Sequence, residues 1–377
     1  MAQKKLKIFV VAGEASGDIY GGLFAENAME ITGVDIELRG WGGEQMANAG
    51  VKVTKHYREL AFMGFIEVIK NLRTIKNNLN QCFKEIVEFR PDAVVFIDLP
   101  GFNMRVAKRL RNKIKANDDD LQLNTKLFQL VCPQIWAWKS GRIKDLKRDY
   151  DCVFPVLPFE DSILKSGGVN SQSMGHPLLD SILKEKSARK GVKKEKKEKL
   201  IALLPGSRKQ EINKILHVYL QAIKDFPDHE VVIAGAPGLE KSDYTLAEKA
   251  GLRVEFGKTR ELLQRAEAAV ITSGTATLEA ALLKVKHVIA YKTSALNFAI
   301  AKALVDVDFI GLPNLILGRK AVEELIQGDC NPQKISEELR KALSSSDMEK
   351  DFDEIYETLG NGGASKRIAE YVVREVS

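Results

Sequence analysis

The sequence has 377 residues, of which 45% are hydrophobic, and it carries a net charge of +6 with a pI near 8.9. This length and apolar content suffice for a sizeable core and predict two domains. No apolar run is long enough to cross a membrane, and the run after the basic start is too short for a signal peptide. The four cysteines lack the spacing of a disulfide framework or a zinc site. We expect a cytoplasmic protein without a metal or other cofactor.

The excess positive charge is concentrated in one stretch, "KSARKGVKKEKKEK" at 186–199. It holds eight Lys or Arg and two Glu, so its net charge equals that of the whole chain. Two interpretations stay open, a solvated linker and a segment attracted to an anionic membrane surface. No nucleic-acid partner is expected, because no aromatic residues alternate with the charges.

Short apolar runs rich in Val, Ile and Phe alternate with helical patterns, as in parallel sheets buried on both faces. In chain order the runs are "KIFVVAG", "PDAVVFIDLP", "TKLFQLVCP", "CVFPVLP", "KLIALLPGS", "EVVIAGAP", "LRVEFGK", "AAVITSGT" and "HVIAYKT". They predict an α/β protein of two Rossmann-like, doubly wound domains that face a cleft. We place an N-terminal acceptor and catalytic domain at 1–185, a linker at 186–199 and a donor-binding domain at 200–347. A helical segment follows at 348–377, and its packing on the N-terminal domain is left open.

The first apolar run ends in a predicted loop with two glycines and three polar side chains. Glycine lets the chain pass close to a ligand. The carboxylates argue against a plain phosphate cradle and favour hydrogen bonds to sugar hydroxyls or to the phosphate region of an acceptor. We therefore predict an acceptor-side loop that also faces the donor, made of Gly13, Glu14, Ser16, Gly17 and Asp18.

The stretch "AFMGFIEVIKNLRTIKN" repeats apolar residues at helical spacing and continues the same face with two cations. This favours a helix that dips into a membrane surface and receives acyl chains, with the cations at headgroups. Ordinary core packing, with the cations extending to solvent, is the alternative. The predicted contacts are Phe62, Met63, Phe65, Ile66, Ile69, Arg73 and Lys76.

Asp98 directly follows an apolar strand in "VVFIDLPGFN". A carboxylate there is costly unless it is solvated or paired, and desolvation raises its basicity. We predict a general base that faces the cleft, with a loop-capping aspartate as the alternative. Further along, Trp136 and Trp138 stand beside Lys139 and Arg142. These aromatics line a cleft or pack the domain, and the pattern does not decide between the two.

Pro205, Gly206 and Ser207 turn the chain between a strand and a predicted helix in "LLPGSRKQEI", and Arg208 lies beside this turn. Free N–H groups at a helix start favour an anion, and the arginine offers a fork for phosphate oxygens. The alternative is an ordinary turn capped by Ser207, with an arginine on the surface.

A second small-residue loop, in "ITSGTATLEA", lets a ligand approach the backbone, and a glutamate follows where it could bind the hydroxyls of a ribose. A capping role for one of the threonines is the alternative. Together the two loops predict a nucleoside diphosphate site, and the absence of Walker and G-x-G-x-x-G patterns argues against ATP and dinucleotides. The predicted donor residues here are Ser273, Gly274, Thr275, Ala276, Thr277 and Glu279, with Asn314 and Gln327 as further members.

The chain as a whole closely resembles the bacterial lipid-A-disaccharide synthase family. The matching stretches keep the family's order over nearly the whole chain: "VAGEASGD", "FMGFIEV", "IDLPGFN", "IWAW", "LPFE", "GHP", "LPGSR", "SGTATLEA", "LPNLILGR" and "ELIQ". The resemblance implies the GT-B glycosyltransferase fold, with Asp98 as the base and Arg208 in the nucleotide site. Gly101 stands where relatives often carry a second aspartate, which leaves Asp98 as the only carboxylate of its motif.

The resemblance also implies the reaction. UDP-2,3-diacylglucosamine would donate its sugar, with inversion, to the 6-hydroxyl of 2,3-diacylglucosamine 1-phosphate, giving a β(1→6) disaccharide 1-phosphate and UDP. The protein would be peripheral on the cytoplasmic face of the inner membrane, and a homo-oligomer is left open. Two other functions stay open: a UDP-sugar epimerase, which needs no lipid acceptor, and a noncatalytic sugar-nucleotide-binding protein.

Overall fold

Strands and helices alternate along the chain in the computed structural model, which describes residues 5–60, 71–116, 124–188, 198–295, 298–299, 302 and 307–377. The strands of this part are β1 (Leu6–Ala12), β2 (Ile36–Gly42), β3 (Lys52–His56), β4 (Ala93–Ile97), β5 (Lys126–Leu130), β6 (Cys152–Phe154), β7 (Glu198–Leu204), β8 (Glu230–Gly235), β9 (Arg253–Phe256), β10 (Ala266–Ile271), β11 (Lys286–Tyr291) and β12 (Glu324–Ile326).

The α-helices of the same part lie between and after these strands. They are α1 (Ala15–Met29), α2 (Glu44–Asn48), α3 (Leu72–Phe89), α4 (Pro100–Lys115), α5 (Arg142–Asp149), α6 (Glu160–Ser166), α7 (Pro177–Ala188), α8 (Lys209–Ala222), α9 (Thr245–Lys249), α10 (Thr259–Arg265), α11 (Thr275–Leu282), α12 (Leu312–Leu317), α13 (Pro332–Ser344), α14 (Asp347–Leu359) and α15 (Ala364–Val376). None of the helices in this part is both long and apolar enough to span a membrane.

Two parallel sheets organise the described residues, and they share one strand order. The first runs β3-β2-β1-β4-β5-β6, and the second runs β9-β8-β7-β10-β11-β12. This is the strand order of a doubly wound dinucleotide-binding fold, in which strands are added first toward one edge of the sheet and then, from the middle, toward the other. The prediction of two Rossmann-like domains is confirmed, and the chain has the two-domain organisation of the GT-B class.

All nine predicted strands are present, and three further strands were missed. The missed strands lie at or beside sheet edges, where burial is incomplete and the hydrophobic signal is weak. In β2, Glu37 and Arg39 interrupt the apolar pattern and are half-buried. The edge strand β3 has no fully buried residue, and β12 is only three residues long.

The chain forms two compact units, Met1–Lys184 with Asn361–Ser377, and Glu185–Gly360. Each unit has its own core, in which side chains from the central strands pack against the flanking helices. Phe9 and Phe96 are fully buried in the first core, and Leu200 and Ile271 are fully buried in the second. Burial of each such large side chain contributes about 1.5–3 kcal/mol to stability.

The C-terminal segment 348–377 divides between the two units. The helix α14 belongs to the second unit, where Phe352 stacks on His287. The helix α15 returns to the first unit and packs on α1. Its start is fixed by Asp180, whose carboxylate accepts the N–H groups of Gly363 at 2.6 Å and Ser365 at 2.6 Å. A side chain from α7 therefore caps the last helix of the chain.

Candidate active site

The strand order of each sheet reverses between two neighbouring central strands. These are β1 and β4 in the first sheet, and β7 and β10 in the second. Ligands of open α/β sheets bind outside the carboxyl ends of the strands at this switch point. The loops that begin at Gly13, Asp98, Pro205 and Thr272 follow these four strands. Four of the predicted motifs therefore lie at the two positions where the fold places ligands.

The backbone at Asp98 is strained and tightly held. Asp98 and Leu99 have φ values of +50° and +45°, a left-handed conformation that costs a non-glycine residue about 1–2 kcal/mol. The Asp98 N–H donates to the Leu130 carbonyl at 2.9 Å, and its own carbonyl accepts the side-chain amides of Asn103 at 2.7 Å and Gln129 at 3.3 Å. Strain that neighbouring groups hold in place is typical of functional sites. The side chain of Asp98 is half-buried.

Gly13 brings the loop after β1 against the loop after β4. A Cβ atom at Gly13 would lie 2.2 Å from Leu99 Cδ2, so any side chain at this position would require Leu99 to shift. The close approach couples the start of α1 to the residue that follows Asp98.

The predicted acceptor-side loop is shorter in the structure than the sequence suggested. The helix α1 already begins at Ala15, with Glu14 as its N-cap residue. Ser16, Gly17 and Asp18 therefore lie in the first helical turn. Glu14 and Ser16 are half-buried, whereas Gly17 and Asp18 are buried.

Asp18 has a structural role that the sequence analysis missed. Its carboxylate accepts the N–H groups of Gly43 at 2.7 Å, Gln45 at 3.0 Å and Met46 at 3.1 Å, at the start of α2. With an exposure of only 2%, it caps a neighbouring helix. The proposed contact between Asp18 and an acceptor is corrected accordingly, because all three hydrogen bonds go to this chain's own backbone.

The turn after β7 contains the predicted residues Gly206, Ser207 and Arg208. Gly206 has a φ of +113°, and Arg208 rather than Ser207 is the N-cap residue of α8. Glu211, in the first turn of that helix, accepts the Ser207 N–H at 3.0 Å and lies 3.0 Å from Nη1 of Arg208. A carboxylate of the chain thus binds two groups that were predicted to meet a phosphate.

The small-residue loop after β10 passes directly into α11. Gly274, with a φ of +134°, is the N-cap residue, so neither threonine caps the helix through its side chain. The buried Thr277 donates its hydroxyl to the Gly274 carbonyl at 2.8 Å, and the Ser273 hydroxyl donates to Ile310 at 3.4 Å. A Cβ at Gly274 would meet no atom of the described residues within 4 Å. Open space therefore lies beside the Gly274 backbone, and its contact with a donor stays a prediction.

Glu279 takes part in an ion-pair network that the sequence did not indicate. Its Oε1 accepts a hydrogen bond from Nε of Arg260, whose Nη1 also binds Glu185. The Arg260 and Glu279 side chains are mostly buried, at 13% and 14% exposure. The pKa of Arg260 is raised, because the two carboxylates outweigh the opposing effect of burial.

Asn314 is a buried structural residue. Its amide donates to Glu324 Oε1 at 2.7 Å and the Val322 carbonyl at 2.8 Å, and its Oδ1 accepts the N–H groups of Ala321 and Val322. These four bonds use the full capacity of an asparagine side chain. The predicted contact between Asn314 and the sugar donor is therefore corrected. Asn314 instead supports the loop before β12.

Gln327 lies directly after β12, with a φ of +54°. Its N–H donates to the Tyr291 carbonyl at 2.9 Å, and its Oε1 accepts the Thr293 N–H at 3.0 Å. Gln327 therefore connects the carboxyl ends of β11 and β12.

The predicted membrane segment is described only in part. Phe62, Met63, Phe65, Ile66 and Ile69 lie outside the described residues, as do residues 189–197 of the basic run. Arg73 and Lys76 lie on α3 and are exposed, and the neighbouring Leu72 is 56% exposed.

The two tryptophans of "IWAW" have different surroundings. Trp136 packs edge-on against Phe159 and donates its indole N–H to Glu160 at 3.0 Å, so it packs the domain. Trp138 instead has two cations near its ring, with Lys139 Nζ 4.4 Å and Arg142 Cζ 4.9 Å from the ring centroid. The described residues contain no cluster of three or more His, Cys, Asp or Glu side chains that could hold a metal ion.

Known structures similar to this chain have the same fold at low sequence identity. The UDP-GlcNAc 2-epimerase of Neisseria meningitidis, solved with UDP-GlcNAc, is 12% identical with a TM-score of 0.66, over 98% of this chain and 100% of that chain. The kitacinnamycin glycotransferase is 13% identical with a TM-score of 0.61, over 98% and 99% of the two chains.

The sequence comparisons are more specific than the structural ones. The family model described as lipid-A-disaccharide synthetase matches residues 8–374. The lipid-A-disaccharide synthases of Syntrophus aciditrophicus and Myxococcus xanthus are each 33% identical to this chain, over 96% of both chains in the first pair and 97% in the second. The chain belongs to the lipid-A-disaccharide synthase family, whose members are glycosyltransferases that form the lipid A disaccharide.

Proposed function

We propose that this chain transfers 2,3-diacylglucosamine from its UDP donor to the 6-hydroxyl of 2,3-diacylglucosamine 1-phosphate. The products are the β(1→6) disaccharide 1-phosphate and UDP. Family membership over residues 8–374 supports glycosyl transfer in lipid A formation. The similarity to an epimerase solved with UDP-GlcNAc supports a UDP-sugar as the donor.

One observation carries the donor part of the proposal. The turn with Arg208 and the loop with Gly274 follow neighbouring strands at the switch point of the second sheet, and the Thr272 N–H donates to the Leu204 carbonyl at 2.9 Å between them. A diphosphate bound there would meet the N-terminus of α8, the Arg208 guanidinium and the open backbone at Gly274. Glu279 would bind the ribose through the oxygen that does not face Arg260.

In the chemical step, Asp98 acts as the general base. The acceptor hydroxyl oxygen attacks the anomeric carbon as the bond to the UDP oxygen breaks, and the hydroxyl proton passes to the Asp98 carboxylate. Attack opposite the leaving group inverts an α donor to a β product. Arg208 and the helix N–H groups stabilise the charge that develops on the departing diphosphate. No step of this proposal uses a metal ion, so we expect a chelator to leave the rate unchanged.

The acceptor side is assigned to the first unit, with Gly13 shaping the loop and with Glu14 and Ser16 binding the sugar or its phosphate. The segment 62–76 would contact the acyl chains at the anionic inner face of the membrane, with Arg73 and Lys76 at the headgroups. The protein would then be peripheral on the cytoplasmic side.

Three incubations of the purified chain test the function. One contains UDP-2,3-diacylglucosamine alone, one contains the acceptor alone, and one contains both substrates. Mass spectrometry should detect a disaccharide 1-phosphate and stoichiometric UDP only when both substrates are present, and NMR should show a β linkage. An altered donor sugar in the absence of acceptor would favour an epimerase. UDP binding without any product would favour a noncatalytic binding protein.

A further inference from the structure

Three cations lie close together in the first unit, and two of them contact the ring of Trp138. Lys139 and Arg142 lie over the indole ring, and Arg105 of α4 is close enough to act electrostatically on both. Lys139 and Arg105 are exposed, and Arg142 is half-buried. We call Arg105, Lys139, Arg142 and Trp138 the cationic cluster.

No ion pair balances this charge in the part of the chain that the structure describes. The acid nearest in sequence to Arg142 is Asp145, which pairs with Arg148 at 2.8 Å. Burial and the neighbouring Arg142 and Arg105 lower the pKa of Lys139. Asp145 also acts on Arg142 and offsets part of its charge, but three like charges that are held together repel one another, and an anion among them lowers that cost. The ring of Trp138 holds two of the cations in place by cation–π attraction.

The elements that carry the cluster are connected to those that hold Asp98. Lys139, near the end of its loop, has a φ of +53°, a backbone conformation that is unfavourable for a lysine. That loop follows β5, and the Leu130 carbonyl at the end of β5 accepts the Asp98 N–H. Arg105 lies on α4, which begins two residues after Asp98. The loop and the helix that carry the cluster therefore begin at the same carboxyl edge of the sheet as the proposed base.

We propose that the cationic cluster binds a phosphate monoester, the 1-phosphate of the sugar acceptor. This inference rests on the proposed function, which places an acceptor hydroxyl at Asp98. Arginine guanidinium groups bind phosphate oxygens in pairs, and the two arginines and a lysine supply the charge for a dianion. The phosphate thereby fixes which end of the sugar faces Asp98. A phospholipid headgroup offers the same chemistry and is the other source of such a group.

Calorimetric titration with glucosamine 1-phosphate and with glucosamine tests binding without any need for turnover. The wild type should bind the phosphorylated sugar, and Arg142→Gln and Arg105→Gln should each weaken that binding at least tenfold. Lys144→Gln, an exposed lysine on the same helix α5, is the matched control and should bind as the wild type does. Equal binding by all variants would overturn the proposal. Because no product is measured, this result stands even if the chain makes no disaccharide.

Kinetics and vesicle binding distinguish the two sources of phosphate. Arg142→Gln should raise KM about tenfold for 2,3-diacylglucosamine 1-phosphate, while KM for the donor and for an acceptor without the phosphate stay unchanged. An equal rise for both acceptors would contradict phosphate recognition. Recovery on phosphatidylglycerol vesicles should equal that of the wild type. Reduced recovery together with unchanged glucosamine 1-phosphate binding would assign the cluster to a headgroup and overturn the acceptor assignment.

Discussion

Nη1 of Arg208 lies 3.0 Å from Oε1 of Glu211, so the arginine that is proposed to meet a diphosphate already binds a carboxylate of the chain. The other carboxylate oxygen of Glu211 accepts the N–H of Ser207 at 3.0 Å. The glutamate thus binds the same groups that a phosphate would bind. A diphosphate that binds at this turn therefore competes with the carboxylate for Nη1 of Arg208 and for the Ser207 N–H.

Replacement of Glu211 by glutamine should strengthen UDP binding. The change removes a negative charge that competes for Arg208 and that repels the diphosphate. A partly exposed ion pair contributes up to about 1 kcal/mol, so we expect a decrease in Kd of roughly two- to fivefold. Calorimetric titration with UDP measures this Kd.

The matched control for this change is Glu230→Gln. Glu230 pairs with Arg253 at 2.9 Å, and both residues begin their strands, at the sheet edge opposite the site. The Kd of the Glu230→Gln variant for UDP should equal that of the wild type. Weaker UDP binding by Glu211→Gln would show that the carboxylate supports the turn and does not compete with the ligand.

Replacement of Gly13 by alanine should lower kcat without unfolding the protein. The added methyl group would overlap Leu99 Cδ2 and move the residue next to Asp98. A displacement near 1 Å at a reacting group costs on the order of 100-fold in rate. Gly101→Ala is the matched control, because no atom in the described part of the chain lies within 4 Å of its Cβ position. Steady-state kinetics should show a loss only in the first variant, and equal rates would disprove the coupling of the two loops.

Replacement of Asp18 by alanine should destabilise the fold and leave recognition of the acceptor intact. The change leaves buried N–H groups at the start of α2 without their acceptor, at a cost of about 2–4 kcal/mol. Urea unfolding measures the loss, with Ser16→Ala as a control on the same helical turn. An unchanged free energy of unfolding with a raised acceptor KM would instead assign Asp18 to the ligand.

The buried Glu160 should make stability depend on pH. Burial outweighs the hydrogen bonds from Trp136, Leu157 and Val156 and raises the pKa of Glu160 to about 7, from the ordinary 4.5. The folded state therefore binds a proton more tightly than the unfolded state does. The free energy of unfolding should fall by about 3 kcal/mol as pH rises from 4.5 to 7, and change little above 7.

The difference in unfolding free energy between the wild type and Glu160→Gln isolates this contribution, because glutamine does not titrate. That difference should decline across the window from pH 4.5 to 7. A constant difference would mean that Glu160 titrates in its ordinary range in the folded protein.

The fold could be predicted from the sequence because parallel strands buried on both faces give continuous apolar runs. The runs that became β1, β4, β7 and β10 are the central strands, and their loops contain the motifs. The edge strands β3 and β12 and the neighbouring β2 were missed, because strands at or beside a sheet edge need fewer apolar residues. The first turn of helix α1 was predicted as a loop, because its small and polar residues are typical of loops.

The site was predicted in its positions but only partly in its interactions. Switch-point geometry places Asp98 and Arg208 where the motifs indicated. The partners of these residues come from distant parts of the sequence or from the next helical turn. Gln129, a buried polar residue within the apolar β5, was a signal that could have been noticed, because such a residue needs hydrogen-bond partners. Nothing local marks Arg260 as the partner of Glu279, which lies 19 residues further along the chain.

The central claim is that Asp98 accepts the proton of the acceptor hydroxyl, and the transfer rate of Asp98→Asn tests it most directly. Asparagine keeps the size of the side chain and removes the base, so kcat should fall by about 10²- to 10⁴-fold while the Kd for UDP and the unfolding midpoint stay at the wild-type values. A folded Asp98→Asn variant that binds UDP and forms disaccharide at the wild-type rate would contradict the account.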